Sequence, residues 1–233
     1  MMNNQQGVSH TRTIQLQSAL NQKRLLTPLD VVLVGATEVG KSSTLNALFG
    51  SDVAEVGKGS QPQTQIVADY RVGQSFRLYD TAGFGDGKEA DERHAKNLVF
   101  LLRDTCTSKQ KSYFLMDLVL VILDGSSRDL GASYKLLTDV ILPNIEPSRV
   151  LVAINKADMA MSGRYWDFEK NQPQPRLIEF LNEKVYSTKE RIKEATGLTI
   201  PTPIYYSAER NYNIDEIFGF IINNLPTHRR YLN

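Results

Sequence analysis

The stretch Val31-Val-Leu-Val-Gly-Ala-Thr-Glu-Val-Gly-Lys-Ser-Ser-Thr-Leu-Asn-Ala-Leu-Phe49 decides the fold. Its first four residues are branched and aliphatic and predict a buried strand, and Lys41 to Phe49 predicts a helix that ends near Gly50. Between them, residues 35–42 match the pattern G-x-x-x-x-G-K-[ST]. The glycines allow a tight turn whose N–H groups point inward at phosphate oxygens, and the helix N-terminus adds its dipole. The sequence therefore predicts a phosphate-binding loop.

Length and composition predict one domain in a reducing compartment. With 233 residues, 41% of them hydrophobic, the chain can bury one sizeable core. The formal net charge of +1 favours neither nucleic acid nor an acidic membrane. Cys106 is the only cysteine, so an intramolecular disulfide is impossible. Residues 1–7 lack the features of a signal peptide, and the longest apolar run is too short to cross a bilayer. We expect a cytoplasmic protein without integral membrane association.

Strand and helix patterns alternate along the chain. The strand patterns are 31–34, 66–72, 76–78, 118–123, 150–154 and 204–206, and the helix patterns are 41–49, 89–103, 134–142, about 177–192 and 214–225. Gly73-Gln74 separates two alternating runs and predicts a hairpin with one antiparallel strand. This order predicts an α/β fold in which helices cover both faces of a mainly parallel sheet.

The ends of the chain carry weaker patterns. Residues 1–10 are polar and predict a frayed start, and Thr13–Leu26 predicts a helix with weak periodicity. The basic residues near the end, including Arg229 and Arg230, predict an exposed tail. We therefore divide the chain into an N-terminal tail and helix (1–28), a nucleotide-binding domain (29–225) and a C-terminal tail (226–233).

Two segments predict the phosphate and magnesium chemistry. Lys41 would reach the β- and γ-phosphates, and the Ser42 hydroxyl would ligate Mg²⁺. Asp80-Thr-Ala-Gly83 follows the second hairpin strand. There the Asp80 carboxylate would hold Mg²⁺ through water, and the Gly83 N–H would meet the γ-phosphate. The alternatives are a glycine-rich turn and a strand-end turn that bind nothing.

Two later segments predict recognition of the base. In Asn155-Lys156-Ala-Asp158, the Asp158 carboxylate would accept hydrogen bonds from guanine N1 and N2, a donor pair that adenine lacks. The Lys156 stem would lie along the base, and Asn155 would tie the loops together. In Ser207-Ala208, the Ala208 N–H would donate to guanine O6. The alternative is a solvated Asn-Lys turn.

Together these residues resemble a GTPase of the translation-factor-related class, nearest its Era/TrmE-like branch. Five GTPase motifs occur in order over about residues 29–225: Gly35–Ser42, a candidate Thr64, Asp80–Gly83, Asn155–Asp158 and Ser207-Ala208. The run Ser42-Ser43-Thr-Leu-Asn46-Ala-Leu-Phe49 is especially similar to that branch. The resemblance implies a three-layer P-loop NTPase fold (a G domain) with a six-stranded, mostly parallel sheet. It also implies GTP with Mg²⁺ and slow hydrolysis coupled to switching.

The resemblance also assigns the site. The nucleotide-binding residues are Gly35, Glu38, Val39, Gly40, Lys41, Ser42, Ser43, Asn155, Lys156, Asp158, Ser207 and Ala208. The catalytic residues are Lys41, Thr64 and Gly83, and the metal ligands are Ser42, Thr64 and Asp80. The implied partners are GTP or GDP, an unidentified protein or ribonucleoprotein effector, and a second copy in a nucleotide-dependent dimer.

Two switch segments are predicted. Residues 56–65, rich in Gly, Ser and Pro, read as a mobile loop in which Thr64 would close over Mg²⁺ and the γ-phosphate. Ser60 is a weaker candidate, and the alternative for Thr64 is an ordinary polar loop residue. Residues 83–88 contain three glycines and would form the second switch.

Three positions depart from the family pattern. Phe84 stands where Ras has the glutamine that orients water, so water would be positioned by other groups. Glu38 stands where K⁺-using members often have asparagine; it could still ligate K⁺, but its charge should weaken nucleotide binding unless it turns outward. Glu209 stands where lysine is common.

Three hypotheses for the function follow: a GTP-hydrolysing switch, a GTP- or GDP-binding scaffold with negligible turnover, and an ATPase if Asp158 does not face the base.

Overall fold

The computed structural model describes residues 2–25, 27–50, 54–56, 67–72, 74–108 and 110–232. The α-helices are α1 (Met2–Gln22), α2 (Lys41–Phe49), α3 (Lys88–Arg103), α4 (Gly131–Lys135), α5 (Pro175–Thr196) and α6 (Ile214–Asn223). The strands are β1 (Leu29–Gly35), β2 (Ala54–Val56), β3 (Val67–Val72), β4 (Phe76–Thr81), β5 (Thr105–Ser108), β6 (Lys111–Phe114), β7 (Leu118–Asp124), β8 (Val150–Asn155), β9 (Trp166–Asp167), β10 (Gln172–Pro173) and β11 (Ile204–Tyr205). None of the described helices is long and apolar enough to cross a membrane.

One mixed sheet organises the protein, in the order β11-β8-β7-β1-β4-β3-β2. Strands β11, β8, β7, β1 and β4 pair in parallel, and β3 pairs antiparallel with both β4 and β2. Only β3 therefore runs against the others, which confirms the predicted α/β fold. The three-residue β2 extends the six predicted strands at the edge. Such a short segment is too brief to show an alternating pattern.

Successive side chains of the central strands enter two different cores, because side chains alternate across a strand. Val31 and Leu33 pack with α1, α2 and α6 on one face of the sheet. Val32 and Val34 pack with α3, α4 and α5 on the other. All four side chains are fully buried. Burial on both faces explains why β1 reads as a continuous apolar run, and it gives the predicted three layers.

The N-terminal helix is longer than predicted. The sequence predicted a frayed segment over residues 1–10 and a helix over 13–26, whereas α1 begins at Met2 and ends at Gln22. Leu16 and Leu20 are fully buried. Arg12 donates to the carbonyl oxygens of Ala47 and Leu48 at 2.9 and 2.8 Å. These carbonyls lie at the end of α2, where helical carbonyl groups lack donors within their own helix. The Arg12 contact therefore stabilises α1, whose own hydrophobic periodicity is weak.

The predicted exposure of the C-terminal tail is wrong. Arg229 and Arg230 are only 6% and 7% exposed. The Arg229 guanidinium lies 3.1 Å from a carboxylate oxygen of Asp30 and 3.2 Å from one of Asp117. Both aspartates are almost completely buried and need a counter-charge, which Arg229 supplies. The Arg230 carbonyl accepts a hydrogen bond from β6, so the tail closes the amino end of the sheet.

Two short hairpins lie outside the predicted elements. Strands β5 and β6 pair after α3, and β9 and β10 pair within the segment that precedes α5. In the second hairpin Trp166 is 4% exposed and packs on Leu177 and Leu181 of α5. That hairpin therefore belongs to a small third core beside the carboxyl edge of the sheet.

We predict that Asp117→Asn reduces the pH dependence of stability. Burial raises the pKa of Asp117 from 3.8 to about 7, against the attraction of Arg229 and the hydrogen bond from the Asp30 N–H. The folded protein retains this proton where the unfolded chain has lost it. The wild-type free energy of unfolding should therefore decrease as the pH rises from about 4 to about 7, with about 1–3 kcal/mol due to Asp117. Urea titrations across this range measure the slope.

The exposed Asp139→Asn substitution is the control and should keep the wild-type slope. Equal slopes for Asp117→Asn and the wild type would contradict the assignment.

Candidate nucleotide-binding site

The predicted phosphate loop joins the carboxyl end of β1 to the N-terminus of α2. Gly40, immediately before the helix, has a φ of 90°, in the left-handed region that favours glycine. A Cβ on Gly40 would lie 2.4 Å from Asn155 Nδ2, and one on Gly35 would lie 2.6 Å from the Ile122 carbonyl oxygen. Close packing therefore requires both glycines, and at position 40 the backbone conformation requires glycine as well.

Lys41 folds back over this loop. Its ammonium group donates to the carbonyl oxygens of Ala36 and Gly35 at 3.1 and 3.4 Å. Burial lowers the pKa of Lys41, opposed by the nearby carboxylates of Asp80 and Asp86. The structure thus places the Lys41 ammonium on the phosphate loop, whose N–H groups would surround the same phosphates.

Ser42 and Asp80 form the candidate metal site. The Ser42 hydroxyl donates to an Asp80 carboxylate oxygen at 3.2 Å. Burial raises the pKa of Asp80, against the attraction of Lys41 and the hydrogen bond from Ser42. The second carboxylate oxygen of Asp80 is buried without a hydrogen-bond partner. A hydroxyl and a carboxylate with a spare oxygen are ligands that Mg²⁺ prefers, so this pair fits the ion.

Asn155 connects the two halves of the site. Its amide nitrogen donates to the Val39 carbonyl at 2.9 Å, and its amide oxygen accepts from the Ala208 N–H at 3.0 Å. The side chain is 3% exposed, so both bonds are protected from water. The predicted tie between the loops is present. The Ala208 N–H, however, which the sequence assigned to guanine O6, donates to Asn155 because the two loops pack this closely.

Asp158 lies beside this tie, in an ion pair with Arg210 and with one carboxylate oxygen that has no hydrogen-bond partner. The residue is 3% exposed, and its Oδ1 atom is buried without a hydrogen-bond partner. Its Oδ2 atom lies 3.7 Å from Nε of Arg210, which is too long for a hydrogen bond. Because buried carboxylate oxygens normally find donors, the arrangement has capacity for a ligand with N–H groups.

Lys156 and Ser207 complete the base side. Lys156 has a φ of 59°, and its ammonium lies 2.8 Å from an Asp124 carboxylate oxygen. Burial alone would raise the pKa of Asp124, but hydrogen bonds from Lys156 and Ser126 outweigh it and lower the pKa. Ser207 is fully buried, and its hydroxyl accepts the Arg210 N–H. Sequence reasoning missed Asp124, although its place at the end of the neighbouring strand β7 was a usable signal.

A family model described as "50S ribosome-binding GTPase" matches residues 30–156, more than half of the chain. The chain belongs to this GTPase family. The match spans the phosphate loop, Asp80 and the start of the base motif.

Individual relatives agree with this assignment. The chain is 38% identical over 148 residues to the "tRNA modification GTPase MnmE" of Xylella fastidiosa (strain 9a5c), which covers 62% of this chain and 29% of that protein. A Bacteroides thetaiotaomicron protein of the same name is 26% identical over 201 residues, 84% of this chain and 36% of its own length. The chain thus spans about a third of the length of these curated relatives.

Solved structures share the fold. Toc33 of Arabidopsis thaliana with Mg²⁺ and GMPPNP superposes with a TM-score of 0.64 at 15% identity, and 97% of each chain is covered. Era in complex with MgGDPNP and 16S ribosomal RNA gives a TM-score of 0.50 at 20% identity, over 84% of this chain and 56% of that one. These likenesses establish a G-domain fold.

The positions at which this chain departs from the family pattern have structural consequences. Phe84 is 6% exposed and packs in the core beneath α3, with its ring edge-on to His94. It is therefore a core residue, without a polar atom for water. Glu38 is exposed and has a φ of 62°, so its charge turns outward. Ser43 is exposed on the first turn of α2. Thr64 and the weaker candidate Ser60 lie outside the described residues.

We predict that Gly40→Ala destabilises the protein more than Gly197→Ala. Both glycines are in the left-handed region, so alanine costs each about 1 kcal/mol in backbone strain. Nothing lies within 4 Å of a Cβ on Gly197. On Gly40 the new Cβ would displace Asn155 from a hydrogen bond, at a further cost of about 1–2 kcal/mol. Urea unfolding of both variants measures the difference; equal losses would contradict the role of this contact.

Proposed function

We propose that this chain binds GTP and GDP with Mg²⁺ and hydrolyses GTP to GDP and phosphate, acting as a nucleotide-dependent switch. The observation that carries the proposal is the buried, unpartnered oxygen of Asp158, joined through Asn155 to a glycine-dependent phosphate loop. Guanine offers two adjacent N–H donors to such a carboxylate, and adenine does not. The family membership supports the same nucleotide.

The proposed binding roles follow the site geometry. The N–H groups from Glu38 to Ser43 surround the phosphates, and Lys41 exchanges its loop carbonyls for β- and γ-phosphate oxygens. Ser42 and Asp80 hold Mg²⁺, which neutralises charge on the triphosphate. The Lys156 stem lies along the base while Asp124 fixes its ammonium. Gly35, Val39 and Gly40 shape the loop, and Ser207 and Ala208 shape the base side.

In the proposed hydrolysis, a water oxygen attacks the γ-phosphorus and the bond to the bridging oxygen of GDP breaks. Lys41 and the Gly83 N–H stabilise the charge on the transferred group. We propose that Thr64, in the first switch segment, makes a further contact to Mg²⁺ and the γ-phosphate. Because Phe84 is buried, its side chain does not orient the water. We therefore propose slow turnover until a partner or K⁺ supplies that orientation.

A binding scaffold with negligible hydrolysis is the second candidate, favoured by the apolar, buried Phe84. Phosphate release should be measured with GTP and Mg²⁺ in Na⁺ and in K⁺. Release that requires GTP, and that ATP does not replace, supports the switch. Tight GDP binding without release in either salt supports the scaffold, and equal competition by ATP would overturn the guanine assignment.

The proposal extends to the oligomeric state, the partners and the cellular location of the protein. Dimerisation is important for the GTPase activity of the structural neighbour atToc33, which shares the fold at a TM-score of 0.65 and 14% identity. We propose a nucleotide-dependent dimer and a protein or ribonucleoprotein effector, in the cytoplasm. Light scattering with GDP and with GMPPNP would measure the dimer.

We predict that Asp158→Asn weakens GDP binding by about 100-fold, because asparagine presents an N–H to the guanine donors and leaves them unpaired. Calorimetry with GDP in the presence of Mg²⁺ measures this loss. The exposed Asp139→Asn variant should bind as the wild type does. Unchanged GDP affinity for Asp158→Asn would contradict the base assignment.

We predict that Glu38→Asn slows GDP dissociation by about two- to fivefold. The substitution removes a negative charge from the phosphate loop; because the Glu38 side chain faces outward and solvent screens it, the effect is small. Asparagine also tolerates the positive φ of this position better. Stopped-flow displacement of a fluorescent GDP measures the rate. The exposed Glu92→Gln, on the outer side of α3, is the matched charge control, and an unchanged rate for Glu38→Asn would exclude the charge effect.

A further inference from the structure

The segment that follows the predicted magnesium ligand Asp80 lies directly against the phosphate loop. The Thr37 N–H donates to the Phe84 carbonyl at 2.8 Å, and the Phe84 N–H donates to the Gly35 carbonyl at 3.2 Å. Ala36 and Phe84 thereby form a parallel β-bridge. These bonds extend the pairing of β1 and β4 beyond the sheet and into the loop itself.

Side chains add to this contact. The Thr37 hydroxyl donates to an Asp86 carboxylate oxygen at 2.9 Å. A Cβ built on Gly83 would lie 2.3 Å from the Thr37 hydroxyl oxygen and 2.5 Å from its Cα. The Gly83 backbone is therefore packed on Thr37 without space for another atom between them.

The segment is also held on its far side, by α3. The Gly85 N–H donates to an Asp91 carboxylate oxygen at 2.7 Å, and His94 Nδ1 lies 2.9 Å from the Gly83 carbonyl oxygen. The Phe84 ring is buried beside His94. The residues before Asp86 are therefore held by α3, and Asp86 itself is held by its hydrogen bond from Thr37.

The charge of Asp86 acts on the loop lysine. Burial lowers the pKa of Lys41, and the negative charges of Asp80 and Asp86 partly oppose that shift. The Asp86 carboxylate thus lies within electrostatic reach of the ammonium that would bind the γ-phosphate. It supplies negative charge to the same cation from within the chain.

We infer that Asp86, held by Thr37, is an internal anion that competes with the γ-phosphate, and that this pair sets the preference of the site for GDP over GTP. The inference rests on the proposed function. In the proposed GTP-bound state the segment moves to bring the Gly83 N–H to the γ-phosphate, and a movement of Gly83 away from Thr37 would break the contact between Thr37 and Asp86. GDP, which lacks the third phosphate, places no such demand on the segment.

The inference makes a quantitative prediction for two variants. Thr37→Val keeps the shape of the side chain and removes the hydrogen bond, and Asp86→Asn removes the charge. Each should lower the ratio of the GMPPNP Kd to the GDP Kd by about three- to tenfold, the range for one exposed, charge-assisted hydrogen bond. The double variant should gain little beyond the larger single effect, because both substitutions remove the same interaction.

The experiment is calorimetry of the full chain with Mg²⁺ and either GMPPNP or GDP. Thr138 and Asp139 provide a matched control, because their side chains form an exposed hydrogen bond of 2.7 Å and neither residue contacts the phosphate loop in any described hydrogen bond. Thr138→Val and Asp139→Asn should leave the Kd ratio unchanged. Added salt should reduce the effect of Asp86→Asn more than that of Thr37→Val, because only the former removes a charge. Thermal unfolding of each variant checks that the fold is retained.

The outcomes are distinguishable. A lower Kd ratio in both variants, with GDP affinity close to wild type, supports the inference. An unchanged ratio with normal GDP binding overturns it and leaves the proposed function intact. Loss of hydrolysis by Asp86→Asn without a change in the ratio also overturns it, since Asp86 would then act on water. If the wild type binds neither nucleotide, the proposed function itself is wrong.

Discussion

The site depends on one buried amide, the side chain of Asn155. It donates to the phosphate loop at Val39 and accepts from the loop after β11 at Ala208. A buried amide that lost either partner would leave an unsatisfied polar group at a cost of about 1–3 kcal/mol. The two loops are therefore stable only in one relative position. Gly40 enforces the same geometry from the other side, because only glycine leaves room for the Asn155 amide nitrogen.

The two ends of the sheet use polar groups differently. At the carboxyl ends of the parallel strands, Asp80 and Asp158 each retain a buried oxygen without a partner, as expected where an open α/β sheet binds its ligand. At the amino ends, Asp30 and Asp117 share the guanidinium of Arg229, which closes that end, although one oxygen of Asp117 is likewise buried without a hydrogen-bond partner. The C-terminal segment is thus part of the fold, and its arginine contacts carboxylates from β1 and from the residue that precedes β7.

Local patterns in the sequence predicted the parts of the structure that local physics controls. The buried strands β1, β7 and β8 read as apolar runs because both of their faces are covered, and the loop before Lys41 needs glycine in any chain. The sequence could not show contacts between distant segments. Arg229 resembles an exposed tail residue until Asp30 and Asp117 are known to lie beside it, and the contact between Arg12 of α1 and the end of α2 is equally invisible in the sequence. The hydrogen bond between the Ala208 N–H and Asn155 was missed for the same reason, because Asn155 lies on another strand. The assignment of Thr64 stays a prediction.

In the segment after Asp80, Phe84 and Asp86 make different contacts. Phe84 is committed to the core, where its ring contacts His94, so its backbone rather than its side chain meets the phosphate loop. The polar side chain closest to that loop is displaced to Asp86, two residues further along. With Asp80, Asp86 and the outward-facing Glu38 nearby and Lys41 as the cation of the loop, side-chain charge alone does not favour a bound polyphosphate. Anion binding must then come mainly from backbone N–H groups and the α2 N-terminus, supplemented by a divalent cation. This balance makes affinity sensitive to the positions of individual backbone amides, which are the groups that Asn155 and Gly40 fix.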